Sequence, residues 1–341
     1  MATSREKQYN DLNLIIKKKG NKVLERFREE IFTGIKNPEL ILILEEVKSY
    51  WRDTFRPALT QLSCEAIGGQ AEIAEDAGLV FALAAAGAGI HDDIVDKSPN
   101  KHFKKTIHGL YGIDKTLITG DLLINKAWEI VNRILRKVGQ PVKIADIIEI
   151  YGQCSVNMCE AEIMEISCRK KLDTDLEFYK EILWNLNADM EGCAKIGAIL
   201  GTGSDKEIQN LSDIGRILGF LFAVRADIKD SLNVEGNILH RLKYESVPLP
   251  ILFAAQTSKE RKNEIKYILQ KKDIPVSDIR PILEACFETD AFLYVDNLAK
   301  EASEEAVNKL YAIQSSLARD VLQQIIEKSY RYISELSNLA F

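Results

Sequence analysis

A chain of 341 residues with 46% apolar side chains has ample material for a core, and with only 8 prolines it permits long helices. It shows no Pro/Gly/Ser-rich linker, no low-complexity tract and no shift in composition, so one domain spanning 1–341 is expected. The formal charge of −6 excludes the usual basic nucleic-acid binder, no segment reaches the roughly 18 to 20 uninterrupted apolar residues of a bilayer span, and MATSREKQYNDLN has no signal-peptide core; a cytoplasmic protein is expected.

Taken in order, the chain reads as helix after helix. Residues 5–33 and 37–50 are charged amphipathic segments with apolar positions at three-and-four spacing, such as Leu12, Ile15 and Ile16. Pro57 suits a first helical position, and a helix over 57–67 ends at Gly68-Gly69. A long helix follows over 71–96 and stops at Ser98-Pro99-Asn100, with a loop to about 113. Helices are expected over 115–137, 142–170, 175–201 and 206–233, then shorter ones broken at Pro248, Pro250, Pro275 and Pro281. No alternating stretch is long enough for a sheet, and the fold class is all-α.

The stretch from Gly78 to Thr106 carries the chemistry. Its first thirteen residues are uncharged and include six small ones in a row, Ala84 to Gly89, which leave a groove where bulky side chains would otherwise stand. Asp92 and Asp96 then project from one helix face a turn apart, with Asp93 beside them, and like charges at that spacing call for a counter-ion. Carboxylates without thiolates suit magnesium, which shares its positions with phosphates. Lys97, Lys101, His102, Lys104 and Lys105 follow within ten residues, so groove, carboxylates and cations together describe a site for an oily tail with a phosphate head. A second acidic face, Asp227 and Asp230, follows glycines at 215 and 219 that permit close helix packing; two such faces across a bundle are a recurrent way to hold divalent metals, and pairing with Arg225 and Lys229 is the plain alternative. The six cysteines form no CxxC pair and read as reduced thiols, while His91, His102 and His108 flank the carboxylates.

This order of features resembles the trans-prenyl diphosphate synthases, the polyprenyl synthetase family. His91-Asp92-Asp93-Ile94-Val95-Asp96 resembles the first aspartate-rich motif, Lys101-His102 falls where an arginine pair follows it, and Thr106-Ile107-His108, Tyr111-Gly112 and Gly120-Asp121 match the next blocks. Gly215 to Asp230 resembles the second motif, Leu249-Pro250 the apolar close after it, and Phe55-Arg56-Pro57 the N-terminal substrate motif. The resemblance implies a helical bundle around a deep cavity, usually homodimeric, in which Asp92, Asp96, Asp227 and Asp230 hold two or three Mg2+ ions on an allylic prenyl diphosphate, with Asp93 in the catalytic set. Arg56, Lys101, His102, Lys104, Lys105, Arg225 and Lys243 are the substrate-binding cations it implies. The growing tail would run along Ala88, Gly87 and Ala84 to Phe81, eleven residues before Asp92 or about 16 Å, which suits about twenty carbons. Glu162 and Glu165 resemble cavity-lining residues, and Arg331-Tyr332 a basic ending.

Departures from the pattern are concentrated in the pocket for isopentenyl diphosphate, where the resemblance implies a Lys, an Arg, a His and an Arg and the chain has Asp53, Arg56, Ala85 and His102, so that only the first Arg is kept. The leading Asp of the second motif is Ala226, and the expected Lys-Thr pair reads Asn185-Leu186-Asn187. Condensation of the allylic substrate with isopentenyl diphosphate is the leading expectation. A terpene-synthase-like lyase, which needs no second pocket, and a catalytically weak partner subunit of an active homologue are the alternatives.

Overall fold

The computed structural model describes residues 4–101, 104–138 and 141–338. Those residues form fifteen α-helices and one two-residue hairpin: α1 (Ser4–Glu30), α2 (Pro38–Tyr50), α3 (Phe55–Ala66), α4 (Ala71–Val95), β1 (Asn100–Lys101), β2 (Lys104–Lys105), α5 (Ile107–Val138), α6 (Pro141–Ser167), α7 (Leu176–Asn185), α8 (Ala188–Leu200), α9 (Asp205–Ser231), α10 (Ile238–Tyr244), α11 (Leu249–Thr257), α12 (Lys259–Leu269), α13 (Ile279–Glu288), α14 (Ala291–Leu310) and α15 (Leu317–Asn338). The all-α expectation holds. The helices group into two compact units, one of residues 1–153, 189–215 and 310–325, the other of 154–188, 216–309 and 326–341.

In the first unit α4 is the core helix. Its uncharged middle is buried from Leu79 to Leu83, and its two buried acids near the start are tied to α1 by Lys22–Glu75 at 2.6 Å and by Arg26–Asp76. Gly87 on α4 meets Gly120 on α5 so closely that a Cβ at 87 would lie 2.7 Å from the Gly120 carbonyl oxygen. By length and composition α4 is apolar enough to cross a bilayer, yet 78% of that window is buried inside the fold, as a core helix requires.

α4 ends where expected, at Val95, but the following loop is shorter than the sequence suggested. The Thr106 hydroxyl donates to the Ser98 carbonyl at 2.7 Å and accepts the Gly109 N–H at 3.0 Å, so α5 starts at Ile107. The glycine read as a loop residue, Gly112 (φ 77°, ψ 178°), is a kink within α5.

In the second unit, residues expected to continue one helix over 175–201 break at Leu186 and Asn187. The Asn187 side chain donates to the Gly219 carbonyl at 3.2 Å, and its backbone lies where a Cβ on Gly219 would stand 2.7 Å from it. That approach is open only to glycine, which bears out the close-packing role read for position 219.

Candidate active site

Ala84, Ala88, Asp92 and Asp96 lie at four-residue steps, and each keeps partial solvent access, whereas Ala85, Ala86, Gly87, Ile90 and Asp93 between them are buried. One line of α4 is therefore an accessible strip of small side chains ending in two carboxylates, with Gly89, His91, Ile94 and Val95 also keeping partial access near its end. A carboxylate oxygen of Asp92 and one of Asp96 lie within 4.8 Å of each other. Two hard oxygen donors at that separation, accessible from outside, fit the coordination habits of magnesium. Phe81 is 1% exposed and meets Tyr151 edge-on at 6.1 Å; Tyr151 in turn meets Trp128 at 4.7 Å, so an aromatic cluster stands beside the far end of the strip. Gly87 does not line it: its small size serves the contact with α5, which corrects its assignment to the chain-length pocket.

Lys101 on β1 reaches back to the carboxylates, at 2.7 Å from Asp92 Oδ2 and 2.9 Å from Asp93 Oδ1. Burial pulls its ammonium pKa down, but Asp92 and Asp93 more than offset this, and the net shift is upward. Burial pushes the Asp93 carboxyl up, against the pull of Lys101. Asp93 is thus a buried positioning group rather than an open ligand. The same side of α4, with Tyr50 and Trp51, encloses a cavity of about 100 Å³ at the Asp93–Lys101 pair. Lys104 and Lys105 on β2 are exposed with no ion-pair partner among the described residues, and His102 lies outside them.

The second acidic face differs from expectation. Asp227 is 1% exposed and both its oxygens are taken: Oδ1 by Arg241 Nη2 at 2.8 Å, Oδ2 by the Leu249 N–H at 2.8 Å and the Tyr179 hydroxyl at 3.1 Å. Burial pushes its carboxyl up to about 6, with Arg241 opposing. The reading of Asp227 as a metal ligand is corrected: it anchors α10 and α11 to α9. The exposed position of this turn is Ala226, one residue earlier. Asp230 keeps partial exposure while accepting from Arg241 Nη1 at 2.7 Å. Arg241, Tyr179 and Ser246, whose hydroxyl donates to Glu165 at 2.6 Å, complete a buried network that only the Ser-Val-Pro turn and the nearby Arg hinted at in sequence.

The remaining cations divide. Arg56 is held by Asp189 through two guanidinium nitrogens and by Asp53 at 3.0 Å. Burial lowers its pKa, and Asp189 and Asp53 raise it by more. Two acids around one guanidinium leave no positive surplus, so the binding role read for Arg56 is not one its surroundings provide. Lys243 pairs with Asp273 at 3.0 Å on the surface, a solvated contact rather than a substrate cation. Arg225 has no carboxylate partner among the described residues; its guanidinium lies 4.3 Å from the Phe222 ring centroid and 5.7 Å from that of Tyr332, and burial lowers its pKa.

The profile of the polyprenyl synthetase family matches residues 51–286, which takes in both acidic faces, Arg56 and the Arg241 network. The chain belongs to the polyprenyl synthetase family. It is 27% identical over 320 residues to a short chain isoprenyl diphosphate synthase of Methanothermobacter thermautotrophicus, covering 92% of this chain and 96% of that one. A geranylgeranyl diphosphate synthase of Methanosarcina mazei is 26% identical over 281 residues, 80% of this chain and 83% of the relative. Among solved structures, the geranylgeranyl pyrophosphate synthetase of Pyrococcus horikoshii superposes with a TM-score of 0.83 at 25% identity, covering 95% and 99% of the two chains. The fold is the all-α isoprenoid synthase fold.

Proposed function

We propose that this polyprenyl synthetase family member, a prenyl diphosphate synthase, condenses an allylic prenyl diphosphate with isopentenyl diphosphate to a product of about twenty carbons, the length matched by the roughly 16 Å between Asp92 and Phe81. The observation that carries the reading is the accessible strip Ala84–Ala88–Asp92–Asp96: tail on the alanines, head at the carboxylates. Asp92 and Asp96 are the residues that would hold magnesium. Magnesium bound there would supply Lewis-acid stabilisation of the diphosphate leaving group. Asp93 sets the position of Lys101, which is placed to exchange its carboxylate partners for diphosphate oxygens, and Lys104 and Lys105 add positive charge on the same hairpin.

A homodimer is part of the proposal. Leu110, Ile113, Leu117 and Ile118 on α5 are 44, 55, 46 and 60% exposed, an apolar face that a second copy would cover. Sedimentation velocity tests this directly, and a monomer at micromolar concentration would refute it.

One observation favours a second reading. Arg56 is committed to Asp53 and Asp189, which takes one cation away from a second diphosphate, as a lyase or a partner subunit would allow. Purified protein with magnesium, an allylic diphosphate and labelled isopentenyl diphosphate separates the cases. Incorporation of label supports condensation; release of hydrocarbon or alcohol without label, or turnover only after an active homologue is added, rejects it.

A further inference from the structure

The turn that leaves α6 and the face of α12 enclose a pocket of about 460 Å³ in the second unit. Lys170 and Lys171 come from the turn and Lys262 and Lys266 from α12, with Leu172 and Leu269 buried at the floor. The one acid in the lining is Asp173, and it is engaged by Lys262. Four lysines against one aspartate leave a local surplus of three positive charges on a chain whose total is −6. Lys170, Lys171 and Lys266 are exposed and have no ion-pair partner among the described residues.

The turn is held in this shape. Gln256 on α11 donates to the Thr174 carbonyl at 2.6 Å and to the Leu172 carbonyl at 3.4 Å, and Lys170 has the left-handed φ of 58°. A non-glycine residue there is strained, and such strain persists only where the surroundings enforce it. The result is a concave site of ligand size, with ammonium groups converging from two elements over an apolar floor.

We propose that this pocket binds a small phosphate- or diphosphate-bearing molecule, its anionic head among Lys170, Lys171 and Lys266 and its apolar part on Leu172 and Leu269. None of these residues belongs to the strip on α4, so the proposal stands apart from the catalytic reading.

The test is lysine acylation of the full chain read by peptide mass spectrometry, in EDTA so that magnesium-dependent binding elsewhere is suppressed. Inorganic pyrophosphate is the first probe, and vesicles of phosphatidylglycerol against phosphatidylcholine are the second. Protection of the four lysines by pyrophosphate is the expected result; protection by phosphatidylglycerol vesicles alone supports the site and names a lipid headgroup as its source. In Lys171→Glu/Lys266→Glu, which leaves turnover intact, protection of Lys170 and Lys262 should need about tenfold more probe. Reactivity unchanged by either probe, or protection unaffected by the double substitution, would overturn the assignment.

Discussion

Replacing Arg241 by methionine tests the buried network under the second acidic face. Arg241 is 8% exposed and its guanidinium binds Asp227 at 2.8 Å and Asp230 at 2.7 Å; without it, Asp227 keeps the Leu249 N–H and the Tyr179 hydroxyl but loses the counter-charge it has among the described residues. Removing one partner of a buried pair costs about 3 to 5 kcal/mol, and the two remaining donors place this case near 3. At this chain length that is a fall in Tm of roughly 4 °C. The loss should depend on pH. Asp227 has its folded pKa pushed up to about 6, first by burial and against the pull of Arg241, from the ordinary carboxylate value of 3.8. Between those values the unfolded chain has lost the proton that the folded chain retains, so raising the pH across the window costs stability, and the cost is constant above about 6. In the variant the folded pKa climbs further and the window extends upward. Its deficit against the parent should therefore be large at pH 8 and much smaller at pH 5, where both folded forms carry the proton. Urea or thermal melts at the two pH values measure this. A deficit equal at both, or below about 0.5 kcal/mol, would refute the account of Asp227 as a buried anchor.

Ala88→Phe, on the accessible strip, should shorten the prenyl product by cutting the tail's path from roughly 16 Å to roughly 6 Å, with little change in Tm; an unchanged product by chromatography refutes the strip assignment. Gly87→Leu, one residue away, should instead lower Tm, because its Cβ would meet the Gly120 carbonyl oxygen at 2.7 Å. Asp92→Asn and Asp96→Asn should each lower kcat/KM by about a hundredfold or more and weaken magnesium dependence; retention of either property argues against them as ligands. Asp53→Lys should lower KM for isopentenyl diphosphate by about tenfold with the allylic KM unchanged, since it turns a competitor for Arg56 into a second cation; an unchanged KM places that substrate elsewhere.

What the sequence disclosed followed from local periodicity. Helix α4, its small-residue face and the four-residue step from Asp92 to Asp96 needed only helical geometry, and the close packing at position 219 needed only the absence of a Cβ. What it hid depended on distant partners. A helical wheel places Ala226 and Asp227 about 100° apart but cannot say which faces inward; Arg241, 14 residues on, and the start of α11 decide that Asp227 does. Arg56 reads as a free cation until Asp189, 133 residues away, is brought against it. The loop after α4 looked longer because the Thr106 cap answers to Ser98 and Gly109, not to a run of apolar positions.

The separation of faces on α4 has an evolutionary consequence. Because positions 84 and 88 keep partial solvent access while position 87 supports the contact with α5, lineages can explore different product sizes through single exchanges at the two alanines without first compensating a loss of folding free energy. Diversity among descendants of such a scaffold should accumulate at every fourth residue and be nearly absent on the turn-mates in between.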